Sequence, residues 1–158
     1  MKKDVKLYNI VFPMWSIYFY GIFFPLLWLI LLPANFLVDT LVLFLLFHKL
    51  GITEKKALYK KSIWKTWGFG FLADIIPSAL LVLISWNDIP FNPYDTLTSL
   101  PAFLFTTAGV VLAGFLIYFF HMKWVWNKIE LEEKNKRKIA LGMAVLTAPY
   151  LMYLPPLG

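Results

Sequence analysis

The chain has no cysteine, which removes disulfide frameworks, thiol nucleophiles and cysteine metal sites together. Charge is nearly as scarce: Asp, Glu, Lys and Arg make up 15% of the 158 residues. A soluble domain of this length needs more polar surface than that to cover its core. A Walker-type phosphate loop, a Rossmann glycine pattern, a Gly-x-Ser-x-Gly nucleophile turn and a His-Glu-x-x-His helix are also missing. Those motifs build, in turn, a phosphate cradle, a dinucleotide site, an activated serine and a zinc site. Without them no cofactor, no resident metal and no familiar catalytic centre is expected.

Apolar side chains fill the place of all this. Hydrophobic residues are 60% of the chain, aromatic residues 19%, and the mean hydropathy is +0.69. They fall in blocks of roughly 16–24 residues, long enough for helices that cross a ~30 Å hydrocarbon layer. The expected fold is therefore all-α: one polytopic integral membrane bundle over 1–158, with five transmembrane helices. The spans are expected near 8–32, 34–50, 66–85, 100–122 and 139–154. Polar segments 1–7, 51–65 and 123–138 flank or join them. Lys2 and Lys3 resemble the start of a signal peptide, but the apolar run is long and no small-x-small site follows it. The run reads as an uncleaved first span.

The boundary between the first two spans rests on length. Residues 10–47 hold a single charge, Asp39, and 38 helical residues would reach ~57 Å. No bilayer is that thick, so the chain is expected to turn at Pro33-Ala34-Asn35, with Asn35 capping the second helix. Gly51 suits the residue after that helix ends. Thr53–Lys65 reads as a short helix or helical extension, and Trp86–Ser99, with its prolines, asparagines and aspartates, as a loop. The fourth span is expected to run on as a soluble helix, because Glu130–Lys134, Glu132–Lys136 and Glu133–Arg137 are favourable i,i+4 pairs.

Basic residues set the orientation. Lys2, Lys3 and Lys6 lie in the first polar segment. Lys49, Lys55, Lys56, Lys60, Lys61 and Lys65 lie at the second, and Lys123, Lys128, Lys134, Lys136, Arg137 and Lys138 at the third. Together these are all fifteen cations of the chain. Five crossings put the three segments on one face, which the positive-inside rule makes cytoplasmic. The N-terminus is then inside and the C-terminus outside a cell membrane. A net charge of +6 placed at span ends fits anionic lipid headgroups rather than nucleic acid.

Two carboxylates stand within apolar runs. Asp39 lies nine residues before His48 and Asp74 eight after Thr66, so both fall roughly 12–14 Å from the cytoplasmic boundary. On consecutive antiparallel helices they are expected to meet at one depth. An aspartate at the centre of a membrane helix costs about 2.5–3.5 kcal/mol on insertion scales. A wet cavity, a partner or a bound proton must offset that cost. Asn35, Thr40, Ser78, Thr106 and Thr107 are the polar neighbours expected to support them. The competing structural reading has Asp39 serving a helix N-terminus and Asp74 bonded to Thr106, Thr107 or Thr147 as a helix clamp. His48 and His121 sit at expected helix ends, where the dipole favours them. Gly109, Ala113 and Gly114 allow close helix approach, within the bundle or between copies.

The function expected from these features is a small proton- or cation-coupled transporter or channel-like protein, assembled as a homo-oligomer. Asp39 and Asp74 are its ion-binding candidates. The alternative is a non-catalytic accessory, assembly or immunity-type protein. It would dock a membrane or cytoplasmic partner through Lys55, Lys56, Lys60, Lys61, Lys65, Lys136, Arg137 and Lys138. An intramembrane aspartyl protease would place its Asp directly after Gly-x-Gly; here Gly68-Phe69-Gly70 is followed by Phe71. A lipid-acting enzyme has two aspartates and little else to work with.

Overall fold

The computed structural model describes residues 25–154, apart from 88, 91, 93–95 and 98. Within them the protein is helical: α1 (Pro25–Lys49), α2 (Lys55–Ser85), α3 (Leu100–Phe120) and α4 (Glu133–Leu146). A π-turn, His121–Val125, extends α3, and a 3₁₀ turn, Tyr150–Tyr153, follows α4. Each helix packs on the next and α4 closes back on α1, giving an up-down-up-down bundle. Three helices are long and apolar enough to cross a membrane: Leu26–Lys49, Lys55–Ser85 and Leu100–Val125.

Three expectations about span boundaries change. The turn at Pro33-Ala34-Asn35 is absent, because α1 runs unbroken through Pro33. Proline removes one amide donor, yet breaking the helix in an apolar setting would strand several carbonyls, so continuing costs less. Asn35 is therefore no cap. The expected first span lies mostly outside the described residues. At the other end of the chain, α4 ends at Leu146 and residues 147–149 interrupt it before the 3₁₀ turn. The expected fifth span is thus a short helix followed by a break. Between them, α3 does not continue as a soluble helix to 138. The chain turns back after Trp126 and restarts at Glu133. The anticipated i,i+4 pairs give way to a Lys136–Glu133 contact at 3.2 Å, the ion pair found among the described residues.

Other local signals act as the sequence suggests. Gly51 adopts φ of 65°, a conformation that penalises a Cβ. The Ile52 amide then reaches back to the Phe47 carbonyl at 3.0 Å and the Gly51 amide to His48 at 3.1 Å. Ile52 and Phe47 are both buried in the core beside that turn, completing a Schellman closure with its hydrophobic contact. The lysines of 55–65 lie on the first three turns of α2, the helical-extension alternative.

Two glycines set helix spacing. A Cβ on Gly109 would lie 2.7 Å from Leu81 Cδ1, and one on Gly142 2.5 Å from Leu46 Cδ2. The leucines fill the room that the missing side chains leave. The small residues of α3 thus serve packing inside the bundle: Gly109 meets α2, and Gly114 meets the Ala144 carbonyl of α4.

The twelve cations of the described residues all lie at one end, at the C-terminus of α1, the N-termini of α2 and α4, and the turn after α3. Trp64 and Trp124 are exposed there, as interface residues would be. Trp126 is different. It is fully buried, edge-on to Phe47, so it is part of the core and not an interface anchor.

Candidate functional site

The register of α1 against α2 decides which polar groups meet. Asn35 Nδ2 donates to Asp74 Oδ2 at 3.2 Å. One turn further along α1, Asp39 Oδ2 lies 3.3 Å from where a Gly70 Cβ would stand. Asn35 and Asp39 are four residues apart on α1, and Gly70 and Asp74 four apart on α2, so these are two adjacent rungs of one antiparallel ladder. The two acids therefore face each other across the same interface, within Coulomb reach. They do not share one depth. Asp74 lies about one turn, ~6 Å, further from the basic end than Asp39.

Both carboxyl groups are removed from solvent: Asp39 is 1% exposed and Asp74 2%. Each keeps one oxygen, Asp39 Oδ2 and Asp74 Oδ1, with no hydrogen-bond partner among the described residues. Asp74 does not clamp a threonine; its partner is Asn35. Asp39 sits four turns into α1, too far from Pro25 to serve the N-terminus of that helix.

The other candidates divide. Ser78, one turn beyond Asp74, is buried and unpartnered, as is Thr106 on α3. Thr40 is engaged elsewhere, 3.1 Å from the Tyr59 hydroxyl. Thr107 donates to the Phe103 carbonyl at 2.7 Å and accepts from Tyr153 at 3.0 Å. His48 is exposed beside Lys55. His121 sits at the C-terminal end of α3, where the π-turn begins. It is fully buried, its Nδ1 donates to the Ile117 carbonyl at 2.8 Å, and its Nε2 finds no partner among the described residues.

Two residues that bear on the site were not among the sequence candidates. Ser62 and Thr66 are both 0% exposed and unpartnered. They complete a row on α2 at four-residue spacing: Ser62, Thr66, Gly70, Asp74, Ser78. The spacing was available in the sequence, but the row crosses an expected boundary: Ser62 lies in the polar segment 51–65 and Thr66 opens the expected third span.

A cavity of about 310 Å³ opens between α1 and the interruption after α4, lined by Asn35, Val38, Asp74, Leu146, Thr147 and Pro149, among others. The break in α4 creates it: the 3₁₀ turn steps aside where a continuing helix would have packed. Asp74 and Asn35 supply the polar part of an otherwise largely apolar wall. Among the described residues no cluster of three or more His, Asp or Glu side chains could hold a metal ion.

No protein-family model, curated protein or solved structure matches this chain. The class its own features define is an all-helical protein with three helices long and apolar enough to cross a membrane and a buried pair of carboxylates.

Proposed function

We propose that the protein is a small proton- or cation-coupled transporter or channel-like protein of the cell membrane, with Asp39 and Asp74 as the groups that hold the ion. The observation that carries this reading is the pair of buried acids on facing helices, each with an unpartnered oxygen, one of them at the wall of a cavity. A carboxylate kept only for packing would have its oxygens satisfied, since an unmade hydrogen bond in a dry site costs about 1–3 kcal/mol. A proton or small cation shared between neighbouring acids offsets that cost and can be released.

The same reading has five crossings with the basic end cytoplasmic. In it α4 with its 3₁₀ turn makes the last crossing. The C-terminus then lies outside. A bundle this thin suits assembly of several copies, and α1 offers a lipid- or neighbour-facing stripe of Leu26, Leu29, Leu37 and Leu41, all exposed.

Proteoliposome flux measurement tests the proposal. Parent protein is expected to carry protons or a monovalent cation, and Asp39→Asn and Asp74→Asn each to reduce flux at least tenfold. Absence of flux in the parent, or parental flux in both variants, ends it.

A second reading is favoured by the basic end, where twelve cations meet one ion pair among the described residues. Such a surface suits an acidic partner as well as lipid headgroups. Under it, purification from native membrane in mild detergent brings down a stoichiometric protein that is lost when Lys55, Lys56, Lys60 and Lys61 are neutralised.

A further inference from the structure

Five positions of α2 at four-residue spacing face the bundle interior: Ser62, Thr66, Gly70, Asp74 and Ser78, all buried. Four of them bring an oxygen. At the fifth, Gly70, the side chain is missing and Asp39 reaches in from α1, its Oδ2 3.3 Å from the Cβ position. The result is a row of oxygens, one at each step along α2: Ser62 Oγ, Thr66 Oγ1, Asp39 Oδ2, Asp74 Oδ1, Ser78 Oγ. None has a hydrogen-bond partner among the described residues.

The spacing has a chemical meaning. Residues i and i+4 on a helix stand about 6 Å apart, too far for a direct hydrogen bond. Side chains that lean toward each other close that to about 5 Å, which one water bonded to both at roughly 2.7–2.9 Å each can span. A water between each pair would satisfy every orphaned oxygen in the row at once, those of the two carboxylates included. Buried polar groups left over by the protein are the usual sites of interior water. From Thr66 to Ser78 the row covers about 18 Å of helix, over half the ~30 Å thickness of a hydrocarbon layer, with Ser62 one turn nearer the basic end.

We infer that this row is a water-bridged proton path, beginning at the basic end with Ser62 and Thr66 and passing its proton to the Asp39–Asp74 pair. The inference rests on the transport reading above and narrows it to protons. Each hydroxyl accepts a proton from the water on one side and gives its own to the water on the other, so none gains or loses charge over a complete transfer. The carboxylates are where the proton rests. Neither sodium nor potassium could follow, because helices in contact leave space for single waters and no hydrated ion. Beyond Asp74, the cavity beside the α4 break offers the release route.

Proton flux into proteoliposomes carrying a trapped pH dye is the first measurement. Thr66→Val keeps the shape of the side chain and removes its oxygen, and Ser62→Ala does the same one turn nearer the basic end. Each is expected to lower proton flux tenfold or more, with Thr66→Ser restoring it. Gly68→Ala, on the same helix with nothing within 4 Å of the added Cβ, is expected to leave it unchanged. Flux that Asp74→Asn abolishes but Thr66→Val and Ser62→Ala leave intact overturns the path and spares the transport reading. A parent with no proton flux overturns both.

Water-edited solid-state NMR on the parent in lipid bilayers gives a readout independent of flux. The Cβ signals of Ser62, Thr66 and Ser78 are expected to receive magnetisation from water as quickly as exposed residues do. Slow transfer to them, matching that of Leu43 and Ala113 in the dry core, overturns the path whatever the flux.

Discussion

Asn35 and Asp74 are joined by a 3.2 Å hydrogen bond between α1 and α2, and that contact fixes the register in which Asp39 falls opposite Gly70. Asn35→Ala should leave Asp74 without the side-chain partner it has among the described residues. Interhelical hydrogen bonds in membranes contribute about 0.6–2 kcal/mol, so a loss of about 1 kcal/mol is expected in detergent unfolding. A variant as stable as the parent would mean that the contact does not set the register.

Gly70→Ala tests the closeness of Asp39. Alanine is a better helix former by about 1 kcal/mol, and the opposing contact is a carboxylate oxygen free to turn aside. Stability is expected within about 1 kcal/mol of the parent, while flux falls because Asp39 is pushed off the line of oxygens. Unfolding midpoints and flux measured on the same preparation separate the two effects.

Gly142→Ala should be costly for a different reason. The new Cβ would stand 2.5 Å from Leu46 Cδ2, inside a packed core where overfilling costs typically ~1–3 kcal/mol. Shortening the obstructing side chain with Leu46→Ala in the same molecule should recover part of that loss. The check is a double-mutant cycle in unfolding free energy. Additive effects would show that the two residues do not meet.

Pro33→Ala distinguishes a helix from a turn at this point. Within an unbroken α1 the substitution restores an amide donor to the Leu29 carbonyl. It should raise helicity by circular dichroism and stabilise the protein, by at most ~3 kcal/mol. At a turn it would do neither.

Gly51→Ala places a Cβ on a residue at φ of 65°, with nothing crowding it. The expected cost is therefore the backbone penalty alone, about 1 kcal/mol, read as a lower unfolding midpoint with unchanged flux.

Much of the helix content is legible in the sequence because it needs no tertiary information. The Thr66–Ser85 and Leu100–Met122 runs are uninterrupted and uncharged except for Asp74, and Gly51 marks a helix end by its own backbone freedom. The Pro33–Asn35 turn fails for an instructive reason. Proline and asparagine break helices in water, where freed carbonyls find solvent, whereas in an apolar bundle the helix is the cheapest way to satisfy the rest of its backbone. The predicted extension beyond α3 fails because i,i+4 charge pairs contribute only about 0.2–0.5 kcal/mol each. The burial of Trp126, Ile129 and Ile139 against the bundle outweighs them and turns the chain back.

The candidate site was half visible. An aspartate in an apolar run announces itself by its cost, and both were found that way. Ser62 and Thr66 did not stand out, because a hydroxyl is inexpensive to bury and two lysines, Lys61 and Lys65, are their immediate neighbours.

By itself, then, the sequence determined that this is a helical protein built for an apolar medium, with all its positive charge held to the ends of its apolar runs. Hydropathy and charge placement act residue by residue, so no fold is needed to read them. Which groups face one another was decided by tertiary structure alone. The one-turn stagger of the acids, the Asn35–Asp74 bond and the break beside the cavity depend on how helices seat against each other. That seating rests on contacts between residues far apart in the chain, Asn35 on Asp74 between α1 and α2, Leu81 against Gly109 between α2 and α3, and Leu46 against Gly142 between α1 and α4.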